Sequence, residues 1–483
     1  MDFRSFDFNN KTQMKKSILS YMCFTIAAMI MGSSYLFAQI TNSKESFTDH
    51  QKLALDIFRE LIEINTTVNN GCTKAANAMA ERLSNAGFPH EDINLLGPNS
   101  QHMNLVARYH GKGNLPPILF IGHLDVVEAM SKDWSVDPFK FQEIDGYFYG
   151  RGTSDMKCED ADIIANFIRL KHEGFVPNRD IIVALTEDEE GGDYNGVEWL
   201  LKNHRDLIEA EYCINMEGGG GDIKNGQHTM MEVQTSEKTY LDLTLEVKNK
   251  GGHSSIPVKE NAIYRLANAL TRISNFNFPI RLNETTKMFF ERSALQETGT
   301  IKSDMINAPR DSAAANRLAM YAPYYNSMLR TTCVATMLSG GHAQNALPQF
   351  ASANINCRIL PDESQDYVIE TLKSVISDTM VSIKFKYPAI SGPLSIMRKD
   401  VWDPVEKLTA TMWPGVMVTP VMSTGASDGK FIRNAGMSVY GVSGIFFEID
   451  DIRAHGRDER IGIKEFYEGV DFMYSLIKAL TME

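Results

Sequence analysis

Short apolar runs alternating with helical patterns decide what this chain can become. Pro117 to Val127 is one such run, and Asp180 to Leu185 and Tyr212 to Met216 are two more. Each has the length of a strand and is too uniformly apolar to keep a wet face. Between them, Ala161 to Leu170 and a stretch opening at Val197 to Leu201 show helical spacing. So, earlier in the chain, do Leu53, Ile57, Leu61 and Ile64, followed by Ala75 to Leu83. Strand and helix in alternation predict an α/β fold, an open and mostly parallel sheet with helices on both faces.

Near Glu237 the pattern changes. Leu241, Leu243, Leu245 and Val247 alternate with polar residues, and so do Ala351, Ala353, Ile355, Cys357 and Ile359, and finally Val381, Ile383, Phe385 and Tyr387. Period-two alternation marks strands with one solvated face, hence an antiparallel sheet. Two helical stripes accompany them, one through Ile263, Leu266, Leu270 and Ile273 and one through Val368, Leu372 and Ile376. The expectation is an α+β domain at 237–390 inserted into an α/β domain made of 45–236 and 391–483. A chain of 483 residues that is 43% hydrophobic can fill two cores. Residues 284–330 lack clear periodicity and are assigned to the inserted domain as an extension.

The first forty residues differ in kind. Lys11, Lys15 and Lys16 precede an apolar stretch from Ile18 to Phe37, and Ala38 offers a cleavage position. This is the pattern of a signal peptide over 1–38, which would place the protein in the periplasm or outside the cell, the alternative being an uncleaved N-terminal membrane anchor. The 48 basic against 61 acidic side chains give a net charge of −13, which repels a phosphate backbone and argues against nucleic acid as a partner. Six cysteines at irregular positions contain no CxxC pair, so they read as free thiols.

Acidic residues and histidines gather where strands should end. His123 and Asp125 follow the first apolar run, Glu187 to Glu190 follow the second, and Glu217 follows the third. Asp155 lies in a glycine-containing loop, and His455 lies near the C-terminus. The carboxyl ends of parallel strands share one crevice, so these groups can converge. Carboxylate and imidazole without thiolate suit zinc in a hydrolytic site, and neighbouring carboxylates at the end of a buried strand need a cation to hold them together.

The strings GHLDVV (122–127), DGYFYGRGTSDMK (145–157), TEDEEGG (186–192), NMEGGG (215–220), GGHSSIP (251–257), NALPQ (345–349), NCRILP (356–361) and AHGRDER (454–460) resemble, in order, the motifs of the M20 metallopeptidase family. The resemblance is strongest to its branch containing carboxypeptidase S and N-acyl amino acid hydrolases. It implies a catalytic domain of the di-zinc exopeptidase kind with an inserted lid or dimerisation domain.

Carried over by position, His123 and Glu217 would hold one zinc, Glu190 and His455 the other, and Asp155 would bridge. Asp125 would orient His123 or the peptide around the metal, and Glu189 would be the general base for a water held between the metals, the alternatives being exchanged roles for Glu189 and Glu190 or a part for Glu187. Glu217 stands where many relatives carry Asp. His253 resembles a lid histidine that supports an oxyanion, often from a second subunit, and Arg358 a clamp for a substrate carboxylate. Asn345 and Gly425 resemble further substrate contacts. Two Zn2+ are the implied cofactors, with Co2+ or Mn2+ admitted by the same ligands. The implied reaction is hydrolysis of an amide beside a free carboxylate, in a short peptide or an N-acyl amino acid, with room for a homodimer through the inserted domain. The competing readings are a zinc aminopeptidase and an inactive binding ectodomain of the same fold.

Overall fold

Four parallel strands form the centre of the large sheet, in the order Arg179–Thr186, Leu115–His123, Tyr212–Asn215 and Ser438–Gly441. The computed structural model describes residues 48–482, so the expected signal segment lies outside the described residues. The chain from Leu53 onward forms one compact unit. The central strands are buried on both faces, as their continuous apolar runs require. One face packs Leu119, Ile121, Ile182 and Ala184 against Val197, Leu200 and Ile208, from the helices Gly196–Asn203 and Arg205–Ile208. The helix Lys157–His172 is buried along nearly its whole length and lies beside the C-terminal helix Ile463–Thr481.

Antiparallel strands extend this sheet at both sides, Ile93–Asn99 and His102–Tyr109 at one end, Gln227–Glu237 and Gly220–Lys224 towards the other. Met417–Ser423 pairs in parallel with Gln227–Glu237, and Phe446–Glu448 pairs in parallel with Gly220–Lys224 and brings the total to ten strands. None of the helices among the described residues is long and apolar enough to cross a membrane.

A second, four-stranded sheet is wholly antiparallel, in the order Thr332–Gly340, Phe350–Ile359, Thr239–Lys248, Val381–Lys384. Its apolar face, Leu241 to Val247 and Ala351 to Ile359 at alternate positions, packs on the helices Ala262–Ser274 and Gln365–Ile376. Both helices start on side-chain caps: Asn261 accepts from the amides of Ile263 and Tyr264, and Ser364 from that of Tyr367.

Residues 284–330 depart from the expectation of an extension of this inserted domain. They fold into four short helices, Glu284–Ser293, Gly299–Asn307, Ser312–Tyr321 and Pro323–Leu329. Phe289, Phe290, Met305, Leu318, Met328 and Leu329 form a core with Val421 and Met422 of the large sheet. The segment therefore adds a helical layer to the α/β part, because its apolar residues have that strand, and not the inserted sheet, to cover.

Candidate active site

The four central strands all point their carboxyl ends the same way, and the residues just beyond those ends meet there. His123 is the last residue of its strand and is buried. Its Nδ1 lies 3.1 Å from the backbone oxygen of Asp125 and donates to it, which leaves Nε2 as the open nitrogen. Nε2 faces Asp155 Oδ1 at 3.3 Å, and Asp155 Oδ2 faces Nε2 of His455 at 3.0 Å. Asp155 thus offers one oxygen to each imidazole. His455 Nε2 is also 2.8 Å from Glu190 Oε1. His123, Asp155 and Glu217 form one group of potential ligand atoms within 4.8 Å of one another, and Asp155, Glu190 and His455 form a second.

The electrostatics of this cluster call for cations. Burial lowers the basicity of His123, but the carboxylates of Asp125 and Asp155 outweigh it and hold its pKa well above the usual value. Burial also opposes ionisation of Asp155, yet its two imidazole neighbours keep its carboxyl below the ordinary range. Glu217 is pushed up by burial and by the carboxylates of Glu189 and Asp155, and Glu189 by burial and by Asp428 and Glu190. His123 Nε2 and Asp155 Oδ1, both buried, have no hydrogen-bond partner among the described residues. Unfilled nitrogen and oxygen lone pairs beside three carboxylates are a donor set that fits divalent metal ions.

Two carboxylates hold the loops that present these groups. Asp125 accepts from the amides of Glu189 at 3.1 Å and Glu190 at 2.9 Å, and its Oδ1 is 3.6 Å from His123 Nδ1. It therefore fixes the acidic loop as well as the ring. Glu459, fully buried, does the same for the loop before Asp155. Its Oε1 accepts from the amides of Ser154 at 2.8 Å and Asp155 at 3.1 Å, while its Oε2 accepts from the Gly152 amide at 3.1 Å and pairs with Arg151. Gly152 has φ +92°, and a Cβ there would meet the Lys157 side chain at 2.9 Å, so the turn excludes other residues.

Glu459 was not singled out from the sequence, nor was Asp428. The latter is buried, accepts from Asn195 Nδ2 at 2.6 Å and raises the pKa of Glu189. Neither the Asp458-Glu459 pair nor the Ser427-Asp428 step carries a sequence signal of its own.

The substrate-binding candidates lie on other segments of the chain. His253 and Asn345 share one small ribbon: His253 pairs with Ala346, the Ser254 amide donates to the Asn345 oxygen, and both residues are exposed. His253 Nδ1 accepts from the Ser255 amide at 3.1 Å. Arg358 lies on the open face of the inserted sheet with its guanidinium 4.7 Å from the centre of the Tyr240 ring and close enough to Asp242 to lower that carboxyl's pKa. Gly425 lies just beyond the strand Met417–Ser423, its amide bonded to Ser423 Oγ at 3.0 Å. Glu187 stays out of the main cluster and faces His102 instead.

Residues 119–479 match the model of peptidase family M20/M25/M40. The chain belongs to this family. It is 30% identical over 392 residues to a probable carboxypeptidase S-like protein of Dictyostelium discoideum, covering 78% of this chain and 75% of that one. It is 28% identical over 377 residues to the human N-fatty-acyl-amino acid synthase/hydrolase, covering 76% and 74%. Among solved structures, an M20 family metallo-carboxypeptidase from Sulfolobus solfataricus superposes with a TM-score of 0.68 at 18% identity, over 89% of this chain and 99% of that one. The protein is an M20 metallohydrolase of the carboxypeptidase, dipeptidase or acylase type with a candidate metal site at the carboxyl ends of its central strands.

Proposed function

We propose that this M20 hydrolase uses two zinc ions to cleave an amide bond one residue from a free carboxylate. The observation that carries the reading is the placement of Asp155, with one oxygen towards His123 and the other towards His455. His123 and Glu217 would hold one ion, Glu190 and His455 the other, with Asp155 between. Bound there, the metals supply the Lewis acidity that polarises a carbonyl and acidifies water. Glu189, adjoining the ligand Glu190 and fixed through its amide by Asp125, accepts the proton of the attacking water and delivers it to the departing amine. Metal cations held there would oppose the burial and the carboxylates that raise the pKa of Glu189.

A carboxypeptidase and an N-acyl amino acid hydrolase both release an amino acid, so in each substrate the scissile amide neighbours a carboxylate. Arg358, with its planar guanidinium over the Tyr240 ring, is the group we assign to that carboxylate. Export through residues 1–38 completes the reading and would be seen as a mature N-terminus near Gln39 in the extracytoplasmic fraction.

The experiment is Glu189→Gln, assayed against dipeptides and N-acyl amino acids after its zinc content is shown to equal that of the parent. A fall in kcat of about 10²–10⁴-fold is expected from losing the proton carrier. Undiminished turnover would refute the assignment.

A further inference from the structure

Outside the cluster described above, the neighbouring edge of the same loop carries a second set of ligand groups. His102 opens the strand His102–Tyr109, and its Nδ1 lies 2.9 Å from Glu187 Oε2 and 3.5 Å from Asp188 Oδ2. The three potential ligand atoms lie within 4.8 Å of one another.

Three features set this group apart from an ordinary ion pair. Glu187 is 0% exposed, yet neither of its carboxylate oxygens has a hydrogen-bond partner among the described residues, and neither does His102 Nδ1. At 2.9 Å the separation suits a hydrogen bond and the direction does not, so the lone pairs converge on a shared point without satisfying each other.

The second feature is backbone. Successive side chains along an extended segment point to opposite sides, but Asp188 has φ +54°. That left-handed turn brings its carboxylate round to the side where Glu187 already points. Gly192 then closes over it: a Cβ at this position, where φ is +128°, would stand 2.2 Å from Asp188 Oδ2.

The third feature is charge. Two buried carboxylates from consecutive residues repel, and one misdirected imidazole does not neutralise both. Tyr194 stands beside the group, its ring 5.2 Å from that of His102 and its amide donating to Asp188 Oδ2 at 3.2 Å.

We propose that His102, Glu187 and Asp188 form a further site for a divalent first-row metal ion, separate from the one built on Asp155. One imidazole nitrogen and two carboxylates suit zinc or manganese over calcium, which prefers oxygen alone. The site would tie the start of the acidic loop to the neighbouring strand, leaving Glu189 and Glu190, two residues on, to the main cluster.

Zinc is the probe that tests this. The full-length protein and the variants His102→Ala and Glu187→Gln are equilibrated with buffered zinc chloride, and bound metal per chain is measured by mass spectrometry of the elements. One more zinc in the parent than in either variant is expected. The difference should persist when His123→Ala and His455→Ala have disabled the main cluster, so failure of the two-zinc reading would be visible separately. Equal zinc in parent and folded variants would overturn the proposal. Should the variants not fold, zinc-edge anomalous scattering from crystals of the parent decides: a peak between His102 and Glu187 supports the site, and its absence refutes it.

Discussion

Asp125 makes no contact that would count as chemistry, yet it joins three groups that do: its carboxylate faces His123 and takes the amides of Glu189 and Glu190. Asp125→Asn exchanges one acceptor oxygen for an NH2 group that meets an amide already donating. Metal affinity and kcat/KM are expected to fall together by about 10–100-fold, the usual scale for groups that orient metal ligands. Zinc titration beside steady-state kinetics would show it.

His455 supports a second expectation. Hydrogen bonds to Asp155 and Glu190, partly opposed by burial, raise its pKa from 6.5 to about 10 in the metal-free protein. The raised value stabilises the metal-free fold fully below pH 6.5, and that contribution disappears as pH rises through about 10. A metal must displace this proton, so affinity should climb with pH across that window. Calorimetry at pH 7.5 in buffers of different ionisation enthalpy should register proton release on metal binding, with about one proton fewer released by His455→Ala. The five residues that meet at the strand ends, His123, Asp155, Glu190, Glu217 and His455, are all marked in the sequence by their motifs. Glu459 and Asp428 are not, since what they bind is backbone and side chains whose position only the fold supplies.

Between residue and molecule, the element that matters most is the loop 150–156. Its shape comes from Glu459, whose two oxygens collect amides from Gly152, Ser154 and Asp155 and the Arg151 guanidinium. Glu459→Ala leaves Arg151 buried and unpaired, which costs about 3–5 kcal/mol in comparable cases. Denaturant unfolding should show a loss of that order, and the variant should bind zinc weakly because Asp155 is no longer held. Strands with one wet face, such as Thr239–Lys248, were legible from alternation alone. The helices of 284–330 were not: each is only two or three turns long, and their apolar residues make a single face only when the four are packed on Val421 and Met422.

For the whole molecule, the α/β class follows from uniformly apolar central strands, but the sequence pattern does not reveal what the inserted sheet leaves uncovered. Its edge strand Thr332–Gly340 was not read as a strand, because it lacks a buried alternate face along most of its length. It carries Met337 at 71% and Leu338 at 72% exposure, with unpaired backbone along one side. An apolar, open edge of nine residues is a template for pairing with another strand. A second copy of the chain, the partner that the family resemblance implies, would fit there if the two inserted sheets joined edge to edge into one. The exposed ribbon holding His253 and Asn345 would then be available to the neighbouring subunit's metal cluster. Sedimentation equilibrium should report a dimer, and Met337→Lys with Leu338→Lys should shift it to monomer. If the ribbon completes the neighbouring active site, the monomer will keep its zinc but lose turnover, and wild-type chains mixed with His253→Ala chains will show activity set by the fraction of correctly paired subunits. A monomeric variant with full turnover would separate the edge from catalysis.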